Sequence, residues 1–250
     1  MDLADAPNDV VTPDTLAGAL ERFRAARPHV HCITNAVAQE FTANVLLAAG
    51  ATPSMTIAVE EVAHFTSFAD ALLVNLGTLD VERRDAASAA IRTARADGKP
   101  WALDPVFVHA SKPRLQLART MLEREPTLVR ANGKERAALF AGEAKQISTV
   151  VAVSGETDRI MYRDRAVEIR NGSPMLRYVT AAGCALTAVA VAFVAANENR
   201  LVATAAAFAM FGLAAERAEG ASNGPGSFVP ALLDALAAIG PDDLAKGAKL

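Results

Sequence analysis

The sequence predicts an α/β fold, a mostly parallel central sheet with helices on both faces, and three observations carry that expectation. Short apolar runs and helix-periodic stretches alternate between residues 29 and 153, the order of elements that builds a parallel sheet covered on both sides. Hydrophobic residues make up 52% and charged residues 21% of the 250, ordinary globular usage that excludes disorder, collagen and coiled coil. The apolar share is rich in Ala and only 5% of residues are aromatic, which favours closely packed helices over a sandwich built on aromatic layers. No internal repeat or Pro/Ser-rich linker divides the chain, so residues 1–250 are expected to form one domain.

Thr12-Pro13-Asp14 is a helix start, and Leu16, Leu20 and Phe23 recur at helical spacing until Pro28. Residues 29–34 read as a short strand, and the helical stretch after them runs through Val37, Phe41, Val45 and Leu46 to Gly50. A strand at 52–56, a helix at 59–68 and a strand at 71–75 follow, then a helix from its N-cap Asp80 to about residue 96. Next come a strand at 101–103, a helix at 111–123, a strand at 127–129, a short helix at 135–140 and a strand at 149–153. Beyond Gly155 the segments 159–162 and 166–169, with Asn171-Gly172, read as hairpins that add an antiparallel edge. Three helices close the chain at about 183–196, 201–219 and 228–239. The apolar stretch 181–215 is cut by Asn197-Glu198-Asn199-Arg200 into two pieces, each shorter than the ~18 to 20 residues that cross a bilayer. These read as core helices.

Twenty-five basic against 28 acidic residues give a formal charge of −3, with no basic footprint for nucleic acid or an anionic membrane, so a small molecule is the expected partner. Two cysteines, Cys32 and Cys184, make no disulfide framework. The acidic start Met1-Asp2-Leu3-Ala4-Asp5 lacks the basic and apolar regions of a signal peptide, and a cytoplasmic protein is expected. Walker A, G-x-G-x-x-G, H-E-x-x-H and G-x-S-x-G patterns are all absent, and His29, His31, His64 and His109 are scattered. A zinc site and a hydrolase triad are therefore not expected.

Ligands of open parallel sheets bind beyond the carboxyl ends of the strands. Four such ends carry polar or glycine-rich turns: Thr34-Asn35, Asn75-Leu76-Gly77-Thr78, Asp104-Pro105 and Ser154-Gly155-Glu156. Each turn alone serves equally as helix capping, but together they would share one rim. Residues 179–186 would leave an edge strand and enter an apolar helix, presenting backbone N–H groups to an anion on that rim. Cys184 in its first turn is either a buried structural residue or a thiol whose pKa the helix dipole lowers.

A series of blocks, in chain order, resembles the hydroxyethylthiazole kinase family over roughly residues 12–240. They are Val30-His31-Cys32-Ile33-Thr34-Asn35, Phe41-Thr42-Ala43-Asn44, Gly50-Ala51-Thr52-Pro53-Ser54-Met55, Asn75-Leu76-Gly77-Thr78-Leu79, Leu103-Asp104-Pro105-Val106, Gly183-Cys184-Ala185-Leu186 and Gly224-Pro225-Gly226-Ser227-Phe228. The resemblance implies a ribokinase-like fold and ATP- and Mg²⁺-dependent phosphorylation of the hydroxyethyl group of 4-methyl-5-(2-hydroxyethyl)thiazole, a thiamin salvage step. It also implies a homotrimer with active sites between subunits. By motif position it implies that Asn35, Met55, Gly77 and Ala181 contact the thiazole and that Arg130, Asn132 and Ser154 hold the nucleotide. Asp104 and Glu135 would hold Mg²⁺ near the phosphates, and Cys184 stands where related kinases carry an Asp base.

The chain departs from the family pattern at several of these blocks. Gly-Thr-Gly-Cys is Ala181-Ala182-Gly183-Cys184 here, and Asp-Pro-Val-Gly-Val-Gly is Asp104-Pro105-Val106-Phe107-Val108-His109, which puts two bulky side chains where the family keeps space. Arg-Gly-Asn-Ala-Ser-Glu is Arg130-Ala131-Asn132-Gly133-Lys134-Glu135. Two functional classes fit: a working kinase on the thiazole alcohol or another hydroxyalkyl heterocycle, or a catalytically weak or inactive paralogue that binds a small molecule or partner.

Overall fold

The computed structural model of the chain describes residues 10–141 and 148–250; the acidic start at residues 1–5 lies outside them. Helix α1 (Pro13–Ala26) opens where Thr12 Oγ1 accepts the Thr15 N–H at 3.2 Å, and it ends at Arg27, just before Pro28. There follow β1 (His29–Ile33), α2 (Gln39–Ala49), β2 (Thr52–Ser54), α3 (Val59–Phe68) and β3 (Ala71–Asn75). Gly50 stops α2 because it takes the left-handed conformation, φ +108°, without a Cβ penalty. Asp80 caps α4 (Val81–Ala96) by accepting the Arg83 N–H at 2.7 Å. The alternation continues through β4 (Trp101–Asp104), α5 (Lys112–Leu122), β5 (Leu128–Asn132), α6 (Gly133–Leu139) and β6 (Val150–Ser154). Strands β7 (Asp158–Tyr162) and β8 (Arg165–Ile169), a 3₁₀ turn at Pro174–Tyr178, and helices α7 (Ala182–Ala195), α8 (Arg200–Gly220), α9 (Pro225–Ala238) and α10 (Pro241–Gly247) complete it.

Among the described residues the strands form one sheet in the order β2-β1-β3-β4-β5-β6-β7-β8, parallel from β2 to β6 and antiparallel at β7 and β8. Strand alternation divides the core between its two faces. Val30, Cys32, Leu73, Ala102 and Leu128 point to the face covered by α1, α2, α7, α8 and α9. Leu72, Val74, Trp101, Leu103 and Val129 point to the face covered by α3, α4, α5 and α6.

Three expectations are corrected. The chain enters α7 from a 3₁₀ turn and not from an edge strand. Asn171-Gly172 is not a hairpin turn. Asn171 clamps the chain's end, its Oδ1 accepting the Lys249 N–H at 2.8 Å and its Nδ2 donating to the Gly247 carbonyl at 2.9 Å. Helix α8 reaches 21 residues, long and apolar enough to cross a membrane by length and composition, because it continues past Ala215; 89% of its most apolar window is buried inside the fold. Helix α10 was not foreseen.

Alanine lets α7 and α8 approach the sheet and each other closely, and large side chains lock the pair to α1. The rings of Phe23 and Phe193 stack with centroids 4.1 Å apart and planes 12° from parallel, and neither is exposed. Phe193→Ala should therefore lower the unfolding free energy by about 3–5 kcal/mol in a denaturant titration with an unchanged m-value; a loss below about 1 kcal/mol would mean the stack is not part of the rigid core.

Candidate active site

The strand order reverses between β1 and β3, so the crevice of this sheet opens beyond their carboxyl ends. Asn35 follows β1 there and Asn75 ends β3. Asn35 Nδ2 donates to Asn75 Oδ1 at 3.0 Å, and Asn75 Nδ2 donates to Asp104 Oδ2 at 2.9 Å. The same Asp104 oxygen accepts the Thr187 hydroxyl of α7 at 3.1 Å. A line of side-chain hydrogen bonds thus crosses β1, β3 and β4 and reaches the helix above. Asp104 is fully buried, and its Oδ1 has no hydrogen-bond partner.

The first turn of α7 stands over this line. Ala181, its N-cap, is held at φ +68°, a left-handed conformation that costs a residue with a Cβ about 1–2 kcal/mol and explains why glycine suits the position. The Ala185 N–H donates to the Ala181 carbonyl at 2.9 Å and starts the helical ladder, so the N–H groups of Gly183 and Cys184 precede it. Ala182 does not share that freedom; its N–H donates to the Val179 carbonyl at 3.4 Å. Arg130, on β5, lies against Gly183 so closely that a Cβ there would sit 2.4 Å from Nη1. Its Nη2 donates to Ser154 Oγ at 2.5 Å, while its buried Nε has no partner.

On the edge, His29 Nε2 and His31 Nδ1 lie 2.9 and 2.8 Å from Ser54 Oγ, which pins the three-residue β2 and with it Met55. Burial pushes the His31 imidazole down to about 4, with the neighbouring His29 adding to the shift, so it is neutral at pH 7.

The model of the hydroxyethylthiazole kinase family matches residues 20–143 and 137–242. The chain belongs to the hydroxyethylthiazole kinase family. A hydroxyethylthiazole kinase of Klebsiella pneumoniae strain 342 is 41% identical over 250 aligned residues, which cover 91% of this chain and 97% of that one. The solved hydroxyethylthiazole kinase protein of Pyrococcus horikoshii OT3 superposes with a TM-score of 0.88 at 38% identity, covering 94% of this chain and 97% of that one. A ribokinase-like superfamily protein of Enterococcus faecalis V583 superposes at 0.67 with 12% identity over 90% of this chain and 94% of its own, a likeness of fold. The fold is ribokinase-like.

Eight of the ten residues that the family resemblance singled out fall into three groups; Met55 follows β2 and Ala181 is the N-cap of α7. Asn35, Gly77, Asp104 and Cys184 lie on the hydrogen-bonded line: Asn35 Nδ2 is 3.7 Å from Cys184 Sγ, and a Cβ on Gly77 would sit 2.8 Å from the Asn35 side chain. Arg130 and Ser154 pair beside Gly183. Asn132 and Glu135 form the capping box of α6, in which Asn132 Oδ1 accepts the Glu135 N–H at 3.0 Å and Glu135 Oε2 accepts the Asn132 N–H at 2.9 Å. The other Glu135 oxygen accepts the Phe107 N–H at 2.9 Å. Phe107 and His109 do not fill the interior; both are exposed, Phe107 at 59%. Asn75, placed on the rim by the sequence with no role of its own, joins Asn35 to Asp104, and Thr187 was missed as a site residue. Thr187 is the one hydroxyl in α7, a signal that its helix has something to bond.

Of the two readings open for Cys184, the buried one prevails: burial, reinforced by the Asp104 charge, pushes the thiol up to about 12 against hydrogen bonds from Asn75 and Asn35 and the charge of Arg130. Burial likewise pushes the Asp104 carboxyl up to about 6, with Glu135 adding to it and Arg130, Thr187 and Asn75 opposing. A carboxyl raised in the fold favours the protonated native state, so its contribution is full below the unfolded pKa of 3.8 and is lost as pH rises through about 6. Asp104→Asn removes that loss. Its stability relative to the parent should grow by about 2 kcal/mol between pH 4 and pH 8; a difference independent of pH would mean that Asp104 titrates normally.

Proposed function

We propose that this chain transfers the γ-phosphoryl group of ATP to the hydroxyethyl group of 4-methyl-5-(2-hydroxyethyl)thiazole in the presence of Mg²⁺, a thiamin salvage reaction, and that it does so as a cytoplasmic homotrimer of single-domain subunits. Family membership supports the reaction class. One observation in the chain itself carries the reading: two groups of opposite appetite are buried and unsatisfied in the same site, the acceptor Asp104 Oδ1 and the donor Arg130 Nε. A phosphate chain that brings a divalent cation satisfies both.

Asp104 would hold the cation through its free oxygen, and Glu135 through the lone pairs that its backbone hydrogen bonds leave, by way of water. The cation supplies neutralisation of the phosphate charge. Arg130, kept in place by Ser154, and the Gly183 and Cys184 N–H groups would take the phosphate oxygens where charge collects during transfer. Asn132 acts at one remove by fixing the start of α6. On the acceptor side Asn35, with Gly77 packed beneath it, would orient the heterocycle against Met55 and Ala181.

Cys184 then has a defined part. With its pKa raised to about 12 it is a thiol at pH 7 and no base, but a largely dissociative transfer needs little deprotonation of the alcohol before the phosphoryl group arrives. The thiol positions the hydroxyl for in-line attack.

The purified chain should convert Mg-ATP and the thiazole alcohol, within a panel of hydroxyalkyl heterocycles, to ADP and a phosphorylated alcohol; no product from any member would overturn the reading in favour of the non-catalytic paralogue. In single-turnover assays Cys184→Ala should slow transfer by about 10²-fold or less, and Cys184→Asp should retain or raise it. Abolition by both would show that the sulfur itself is required. Static light scattering at micromolar concentration should give three times the monomer mass, and a monomer would refute the trimer.

A further inference from the structure

The loop after β4 holds a residue that neither the sheet nor the hydrogen-bonded line explains. Phe107 lies three positions beyond Asp104, at φ +60°, with 59% of its surface exposed. Both properties are unfavourable: a β-carbon is strained in the left-handed region, and a phenyl ring in water forgoes burial. The backbone around it leaves no freedom to escape. The Phe107 N–H is bound by Glu135 Oε1 at 2.9 Å, the preceding Val106 carbonyl accepts Arg114 Nη1 at 2.8 Å, and the next side chain, Val108, is buried to 1% exposure. The loop closes on itself through Val108 N–H to the Pro105 carbonyl and Ala110 N–H to the Phe107 carbonyl. Glu135, which imposes this conformation, is itself fixed by the cap of α6. Strain that is over-determined by its surroundings at the rim of a site points to a use there.

Its location narrows the use. Strand β4 lies between β3, which carries the Asn75 of the acceptor crevice, and β5, which carries Arg130. The loop that carries the ring therefore leaves the sheet where the two halves of the site meet, with the Phe107 N–H held by Glu135 and the ring 6.2 Å from that of the exposed His109. A kinase must keep solvent from that meeting point, because water competes with the alcohol as acceptor. With water, the bond from the γ-phosphorus to the ADP oxygen breaks, a bond to the water oxygen forms, a water proton goes to solvent, and the products are ADP and inorganic phosphate.

We propose that Phe107 is the residue that discriminates alcohol from water, its ring covering the junction of the bound acceptor and phosphate chain and excluding solvent. The proposal rests on the kinase reading above. It is tested by measuring ADP and phosphorylated alcohol together, with the acceptor saturating and with it absent, for the parent, Phe107→Gly and Phe107→Tyr. Glycine accepts the left-handed conformation, which offsets the entropy it adds to the unfolded chain, so Phe107→Gly should fold and melt close to the parent. Its ratio of ADP to phosphorylated alcohol should rise by about tenfold or more, while Phe107→Tyr keeps the parent's ratio. An unchanged ratio in Phe107→Gly, with transfer by the parent intact, would overturn the role of Phe107 alone. A lowered oligomeric mass of Phe107→Gly in light scattering would overturn it too, by assigning the ring to a contact between copies. Absence of transfer by the parent would overturn the kinase reading and this proposal with it.

Discussion

A buried carboxylate organises this molecule. Asp104 ends the central strand with none of its surface exposed, and a charge in that position demands donors from every direction. Asn75 from the neighbouring strand and Thr187 from α7 supply them to one oxygen, and Asn75 is held in turn by Asn35. Removing any link would leave a buried polar group alone, so β1, β3, β4 and α7 are tied in register at the one end of the sheet where chemistry is placed. The other oxygen is left without a partner, which makes the native state poorer and the ligand more welcome.

Rigid support makes such an arrangement tolerable. Helices α7 and α8 are apolar almost all round because they are enclosed by the sheet, by α1 and by one another, and their alanines allow close approach. Of the six non-glycine residues at positive φ among the described residues, Thr78, Phe107 and Ala181 follow strands or precede a helix at the rim, while Arg27, Glu125 and Arg163 serve turns elsewhere.

Much of the fold was legible in the residue order. Asp80, Gly50, Pro13 and Pro28 mark ends that the chain obeys, and α3, β3 and α4 lie where their period puts them, α4 with Asp80 as its cap. The turn before α7 reads as a strand because residues 175–179, apolar but for Arg177, carry no helical period, and α10 has too few residues to show one. The polar strand ends gave the place of the site, and the family blocks named most of its residues. What stayed hidden depends on three dimensions: that Asn75 is a hub and not a cap, that Thr187 turns inward one helical turn from Gly183, and that burial overrides the helix dipole at Cys184. Period and propensity do not record how much water surrounds a side chain. Solvent exclusion sets those roles.

The order in which these parts leave the ribosome gives α8 a further meaning. Its 21 residues would be a hazard in an unfinished chain, since a segment of that length and apolarity is the kind that aggregates or strays into lipid. It is synthesised after every strand of the described sheet and directly after α7. Much of the surface that receives α8, on the sheet, α1 and α7, can therefore exist before the helix does, and α9 and α10, made directly afterwards, complete its cover.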